Sequence, residues 1–450
     1  MLLGEPGQRN LLQPSLTIEV YVGVALAMLA ATFVARRFTA KKSLFPNFLS
    51  LEDMGRASLG CFLVGAASQL YNTFGTPGAG NGSLLSALNQ LNNFLPLAMV
   101  LGVTYEIRKS GGRRAMNAVI FLSGALIFAG GILGYSKQGI LEPFACWVFA
   151  AAAQRYKISV AQIAGLLMAA VFISYYLVPY AQFGRGARGD TVGFRDGLKI
   201  SIILLSNLDL VRAAYKLDEQ RYSQSDNIML RYYDKSQGLA DRLQMIAPDD
   251  VLIDATQNSG SFGLLPLIFA FENNIPHFLW PGKPVINFGN IYAREVGIIT
   301  DQADVTTGVS FSAAGDMYHQ AKWGGILALL PVLLFVLFVV TDSCCGDTRT
   351  SPFALLALIL FLHSAPEGGG SGIIRDSTFG IVALFVVAFL STKVMPVVAN
   401  LFAGKLKTQP QSGSIFQPQP AAFAAVAVPG APGPEVPPPA YRWSNPRSNE

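Results

Sequence analysis

Long apolar runs constrain this chain more than any other feature. Crossing the hydrocarbon core of a bilayer takes about 20 mainly apolar residues in a helix. Runs of this kind lie near 17–35, 57–74, 84–105, 115–134, 139–154, 160–180, 322–341, 352–363 and 377–400. Those at 139–154 and 352–363 are short for a span. Backbone polar groups inside lipid must pair within their own segment, so such runs are expected to be helical. The expected fold class is an all-α polytopic membrane protein with about nine to ten transmembrane helices. The first run is long enough to span by itself, so it reads as a span rather than a cleaved signal peptide.

Charge orients these helices. Only 14% of residues are charged, against about 25% in soluble domains. The basic residues sit in short clusters: Arg36, Arg37, Lys41, Lys42 and Arg56, then Arg108, Lys109, Arg113 and Arg114, then Arg155 and Lys157. Alternate loops are nearly free of Lys and Arg. The clustered loops are therefore expected in the cytoplasm. With no basic, aromatic-interleaved patch, no nucleic-acid partner is expected.

This orientation divides the chain into four segments. Residues 1–180 carry helices one to six, and 321–402 carry helices seven to nine. Between them, 181–320 forms one large, mainly helical, extracytoplasmic loop. Within it, 198–215 reads as an amphipathic surface helix, 261–271 as a re-entrant or interfacial element too short to cross, and 212–246 as helical. Residues 403–450 form a Pro/Ala-rich tail, expected to be cytoplasmic and disordered because it lacks the apolar content for a core.

The chain carries no Walker A loop, HExxH, GxSxG elbow or dinucleotide fingerprint. The four cysteines show no ligand spacing, and no metal or cofactor is expected. The glycine run Gly368–Gly372 reads as a turn. The informative stretch is 275–325. Trp280 and Tyr292 suit a membrane interface or a sugar face. Asn290 and Arg294 share a helical face. Ser310 or Ser312 can cap a helix running into the seventh span, placing Gly315, Asp316 and His319 in its first turns. Its N-terminus would favour an anionic group. Lys137, between the fourth and fifth spans, and Arg375, opening the ninth, reach the same face, as do Arg231, Arg242 and Arg294. Gathered cations suit a lipid-linked diphosphate, since a guanidinium fork binds two oxygens at once. Lys137 equally suits a snorkelling anchor, and Arg375 a local pair with Asp376.

The stretch Ile275-Pro276-His277-Phe278-Leu279-Trp280-Pro281-Gly282-Lys283-Pro284 resembles an element of bacterial oligosaccharide repeat-unit polymerases of the Wzy type. Gly289-Asn290 with Tyr292, Thr306-Thr307 through Ser312, and Gly315-Asp316 with Tyr318 follow it in the same order. Ser136-Lys137-Gln138-Gly139 with Leu141 and Pro143 resembles another of their turns. The resemblance implies a GT-C-like glycosyltransferase of the bacterial inner membrane. It would polymerise undecaprenyl-diphosphate-linked oligosaccharide units into O-antigen or exopolysaccharide at the outer face. A chain-length regulator and a flippase of the same pathway would be partners. On this reading Arg294, Arg375, Arg231 and Lys137 bind the diphosphate, and Trp280 and Tyr292 the sugar. The base is Asp316, His319 or Glu295. An O-antigen ligase, a lipid-linked sugar transporter and a non-catalytic export subunit are the alternatives.

Overall fold

The computed structural model describes residues 11–45, 50–74, 93–188, 194–223 and 245–403, apart from 276–278, 281, 285, 300, 302, 306 and 307. The chain divides into Met1–Lys405 and Leu406–Glu450. The second unit, with the tail read as disordered, lies outside the described residues. So do Arg231, Arg242, His277 and the first section of the third apolar run.

Helix α1 (Pro14–Phe38) shows what solvent this fold is built for. Its buried stripe is made of Val20, Gly23, Ala27, Ala31 and Ala35. Its outward stripe is Ile18, Val22, Leu26, Leu29 and Phe33, with Leu29 at 65% exposure. Large residues outside and small ones inside are what lipid selects, because close backbone approach rather than water exclusion drives helix packing there. Helices Pro14–Phe38, Val160–Arg185, Ala313–Cys345 and Gly369–Lys393 are long and apolar enough to cross a membrane. Among the described residues every regular element is helical, with no strand.

Helices α2 (Leu51–Phe74), α3 (Phe94–Lys109), α4 (Ala118–Leu133) and α5 (Lys137–Ala153) form one bundle. α3 is buried continuously from Phe94 to Thr104, so it is a central helix rather than an amphipathic one. Asn117 and Ser136 cap α4 and α5. α6 (Val160–Phe172) runs through a π turn, Ile173–Leu177, into α7 (Val178–Arg188). The expected amphipathic helix 198–215 is instead two helices, α8 (Phe194–Ser206) and α9 (Leu208–Ser223), parted at Asn207.

Four helices of the large polar segment build the far end: α10 (Ile246–Ser259), α11 (Leu265–Asn273), α12 (Phe288–Glu295) and the start of α13 (Ala313–Gly324). α13 passes through a π turn, Gly325–Leu329, into α14 (Leu330–Cys345), which packs along α1. α15 (Pro352–Ser364) packs on α3 and α5. α16 (Gly369–Arg375), a π turn (Asp376–Gly380), α17 (Ile381–Lys393) and α18 (Met395–Ala403) complete the unit. The glycine run is therefore not simply a turn: Gly369 opens α16.

The basic loops converge at one end. Arg108 Nε donates to Gln154 Oε1 (2.9 Å), Gln154 Nε2 donates to Arg349 O (3.2 Å), and Leu44 N donates to Ser343 O (3.0 Å). The opposite end gathers α10, α12 and the N-termini of α1, α13 and α16.

Candidate functional site

Adjacent acids on α10 hold that opposite end together. Asp250 accepts from Leu12 N (2.5 Å), Gln13 N (3.0 Å) and Thr17 Oγ1 (2.6 Å), so it caps α1 from another helix. Asp249 accepts from Tyr21 Oη (2.5 Å), Ser312 N (3.0 Å) and Ser312 Oγ (2.5 Å). Both carboxylates are buried. Burial pushes the Asp249 carboxyl up to about 6, against the opposing pull of the Ser312 and Tyr21 hydrogen bonds. Ser312 caps α13 through Ala314 N. The anion that this helix N-terminus was expected to attract is thus supplied by the protein itself. Sequence reasoning passed over Asp249 and Asp250, although two acids inside the apolar run Ile246–Ile253 were a visible signal.

Asp316 has the same role a turn further along α13. Its carboxylate accepts from Tyr292 Oη (3.0 Å), Gln320 Nε2 (2.8 Å) and Gly370 N (2.7 Å), joining α12, α13 and the start of α16. A Cβ on Gly315 would fall 2.5 Å from Asp249 Oδ1, and one on Gly369 2.6 Å from Asp316 Oδ2. Glycine is what lets each carboxylate reach its helix, and at Gly369 a φ of +55° adds a second requirement.

His319, one turn beyond Asp316 on α13, is 0% exposed. Thr256 Oγ1 donates its one proton to Leu252 O (2.6 Å). It can therefore only accept from His319 Nδ1, 2.9 Å away, and this assigns the neutral ring its tautomer. Nε2 is left with a bare lone pair, 3.1 Å from Glu295 Oε2 and outside hydrogen-bond geometry. Glu295 keeps 22% of its side chain exposed, and burial lifts its carboxyl above the ordinary range. Phe262 and Tyr292 pack on the imidazole at 5.3 and 4.8 Å.

Just beyond His319 the helix breaks. Ala321 and Lys322 leave helical geometry, with Lys322 at φ +50° and ψ −134°, a conformation costly for any residue with a Cβ. The freed carbonyls are taken up from outside: Phe262 N donates to His319 O (2.9 Å) and Gly263 N to Gln320 O (3.0 Å). Within the apolar segment 261–271, residues before α11 therefore seal the break, and α11 follows. Gln320 Oε1 and His319 Nε2 remain as buried acceptor atoms without partners.

The structure thus brings Glu295, Asp316, His319 and Tyr292 together. Arg294 lies beside them but faces its own loop. Its Nε donates to Asn290 Oδ1 (3.1 Å), Nη1 to Asp301 O (3.2 Å) and Nη2 to Asp304 O (2.5 Å). Tyr292 is 4% exposed and ringed by Phe262, Phe288, Phe311 and His319, so both its hydroxyl and its ring are engaged inside the protein. Lys137 is buried at the start of α5. Arg375 closes α16, 57% exposed, with Nε 3.3 Å from Asp376 Oδ1. Trp280 is 39% exposed. Lys283, from the same stretch, is buried and donates to Asn273 O (3.1 Å) and Ile275 O (2.8 Å), closing the C-terminal end of α11. Among the described residues no group of three or more His, Cys, Asp or Glu is placed to hold a metal ion.

No family model, curated protein or solved structure matches the chain.

Proposed function

We propose that this chain is a glycosyltransferase of the bacterial inner membrane that polymerises undecaprenyl-diphosphate-linked oligosaccharide units. In this reading the described helices belong to a fold of nine to ten spans, with the basic end cytoplasmic and the α10–α13 end outside. The observation that carries the proposal is the Glu295–His319 pair. A carboxylate held 3.1 Å from a bare imidazole lone pair gains no hydrogen bond from it. Once Glu295 takes a proton, its O–H can donate to Nε2, after a small turn into line. The pair is thus arranged to favour proton uptake, which is what a general base requires.

In the transfer, the acceptor sugar's hydroxyl gives its proton to Glu295, and its oxygen bonds to the anomeric carbon of the donor. The bond from that carbon to the lipid diphosphate breaks, and the diphosphate leaves with the electron pair. Asp316 positions Tyr292 and α16 and is itself fully hydrogen-bonded, so it holds the site rather than taking the proton. The leaving diphosphate would be met by Arg375 and by Lys322 at the helix break, since the Arg294 fork is engaged with loop carbonyls.

Deletion of the gene tests the reading. Loss of polymer with accumulation of single lipid-linked units supports it, and unchanged polymer rejects it. One observation favours a second reading, a transporter of lipid-linked sugar. A broken helix carrying Asp316, His319 and Lys322 within the candidate span Ala313–Cys345 is the kind of element that transporters place at their binding sites. Lipid-linked units trapped at the inner leaflet in the deletion strain would favour it.

A further inference from the structure

The basic end carries a site of its own. A cleft of about 330 Å³ lies between the C-terminal end of α5 and the loop leading into α15. Arg155, Thr348 and Arg349 line its polar side, and Phe149, Leu355 and Leu358 its apolar side. Neither guanidinium has a hydrogen-bond or ion-pair partner among the described residues. The nearest acid on the loop, Asp347, accepts from the Arg349 backbone N–H (2.8 Å) instead. The rim is fixed: Arg108 and Gln154 bridge to Thr350 O and Arg349 O at 3.5 and 3.2 Å.

Arg155 stands where its side chain costs stability. It follows α5 at φ +53°, with its N–H donating to Ala152 O (2.9 Å) and the next N–H to Ala151 O (2.9 Å). Gly or Asn is the low-energy choice at this helix-ending position. An arginine at this strained position places a cationic residue in the lining of the cleft. Two cations facing one cleft without a carboxylate repel each other until an anion enters. The apolar wall excludes a fully hydrated anion and suits acyl chains, with Leu358 37% exposed beside it.

We infer that this cleft binds an anionic phospholipid from the leaflet at the basic end. Its phosphate bridges Arg155 and Arg349, and its acyl chains lie along Phe149, Leu355 and Leu358. The site is remote from Glu295 and does not depend on the proposed reaction.

Native mass spectrometry of the full chain in neutral detergent tests this with phosphatidylglycerol, phosphatidylcholine and inorganic phosphate as separate probes. Retention of phosphatidylglycerol in preference to phosphatidylcholine is expected. Each guanidinium removed should weaken retention roughly fivefold, so Arg155→Gln with Arg349→Gln should weaken it about 25-fold. Arg113→Gln with Arg114→Gln, the same charge change outside the cleft, should leave it intact. Equal retention of the two lipids by the wild-type chain overturns the inference whether or not the variants fold. So does displacement of the lipid by an equal concentration of inorganic phosphate, which would mark a free-phosphate site.

Discussion

Asp249→Asn should remove a pH dependence of stability that the wild-type chain carries. Asp249 is buried, and desolvation outweighs its hydrogen bonds to Ser312 and Tyr21, holding its carboxyl at about 6. An unfolded aspartate titrates near 3.9. Between those values the folded state binds more protons than the unfolded one, so stability falls as pH rises from about 4 to about 6, then levels off. Each tenfold change in proton affinity is about 1.4 kcal/mol, so the window carries roughly 3 kcal/mol, a large fraction of a typical 5–15 kcal/mol total. Asparagine has nearly the same shape and no titration. The Ser312 and Tyr21 hydroxyls can turn to meet it, while Ser312 N needs the amide oxygen on its side. Thermal unfolding in detergent at pH 4.5 and 7 checks this through the difference between the two proteins, which cancels other carboxylates such as Glu295. Parallel curves would refute the placement of Asp249 as a buried, proton-sensitive tie between α1 and α13.

Other expectations rest on the same geometry. Arg294→Ala should lower protein level or raise proteolysis near Asp301–Asp304, at a cost of about 1–3 kcal/mol, because the lost contacts are to loop carbonyls; immunoblotting of membranes against the wild type measures it. Gly369→Ala should destabilise by at least about 1 kcal/mol, from the positive φ and the clash with Asp316, read as a lower unfolding temperature. Lys283→Met should loosen α11, seen as faster amide exchange over Leu265–Asn273.

The helices were largely legible in the sequence because lipid demands continuous apolar runs, and a serine cap on α13 because hydroxyls stand at Ser310 and Ser312 just before one, though only the structure selects Ser312. The start of the last long helix was not. Gly369 and Gly370 are poor helix formers, and what requires them at this start, the approach of Asp316 and Met317 where a side chain would stand and the positive φ of Gly369, comes from residues distant in sequence. The break at Ala321–Lys322 was hidden for the opposite reason. Both residues favour helix, and it is the Phe262 and Gly263 N–H groups, distant in sequence, that offset the loss of the freed carbonyls' helical bonds. Glu295, Asp316 and His319 are legible as candidates, but their unequal surroundings come from partners such as Thr256 and Gly370 that no local pattern exposes.

The most direct test uses the purified chain in lipid with undecaprenyl-diphosphate-linked oligosaccharide. Mass spectrometry would follow release of undecaprenyl diphosphate together with chains of two or more repeat units. The wild type is expected to form them, and Glu295→Gln, folded and inserted normally, to be slower by about 100-fold or more. Absence of longer chains from the wild type, or an unimpaired Glu295→Gln, would contradict it.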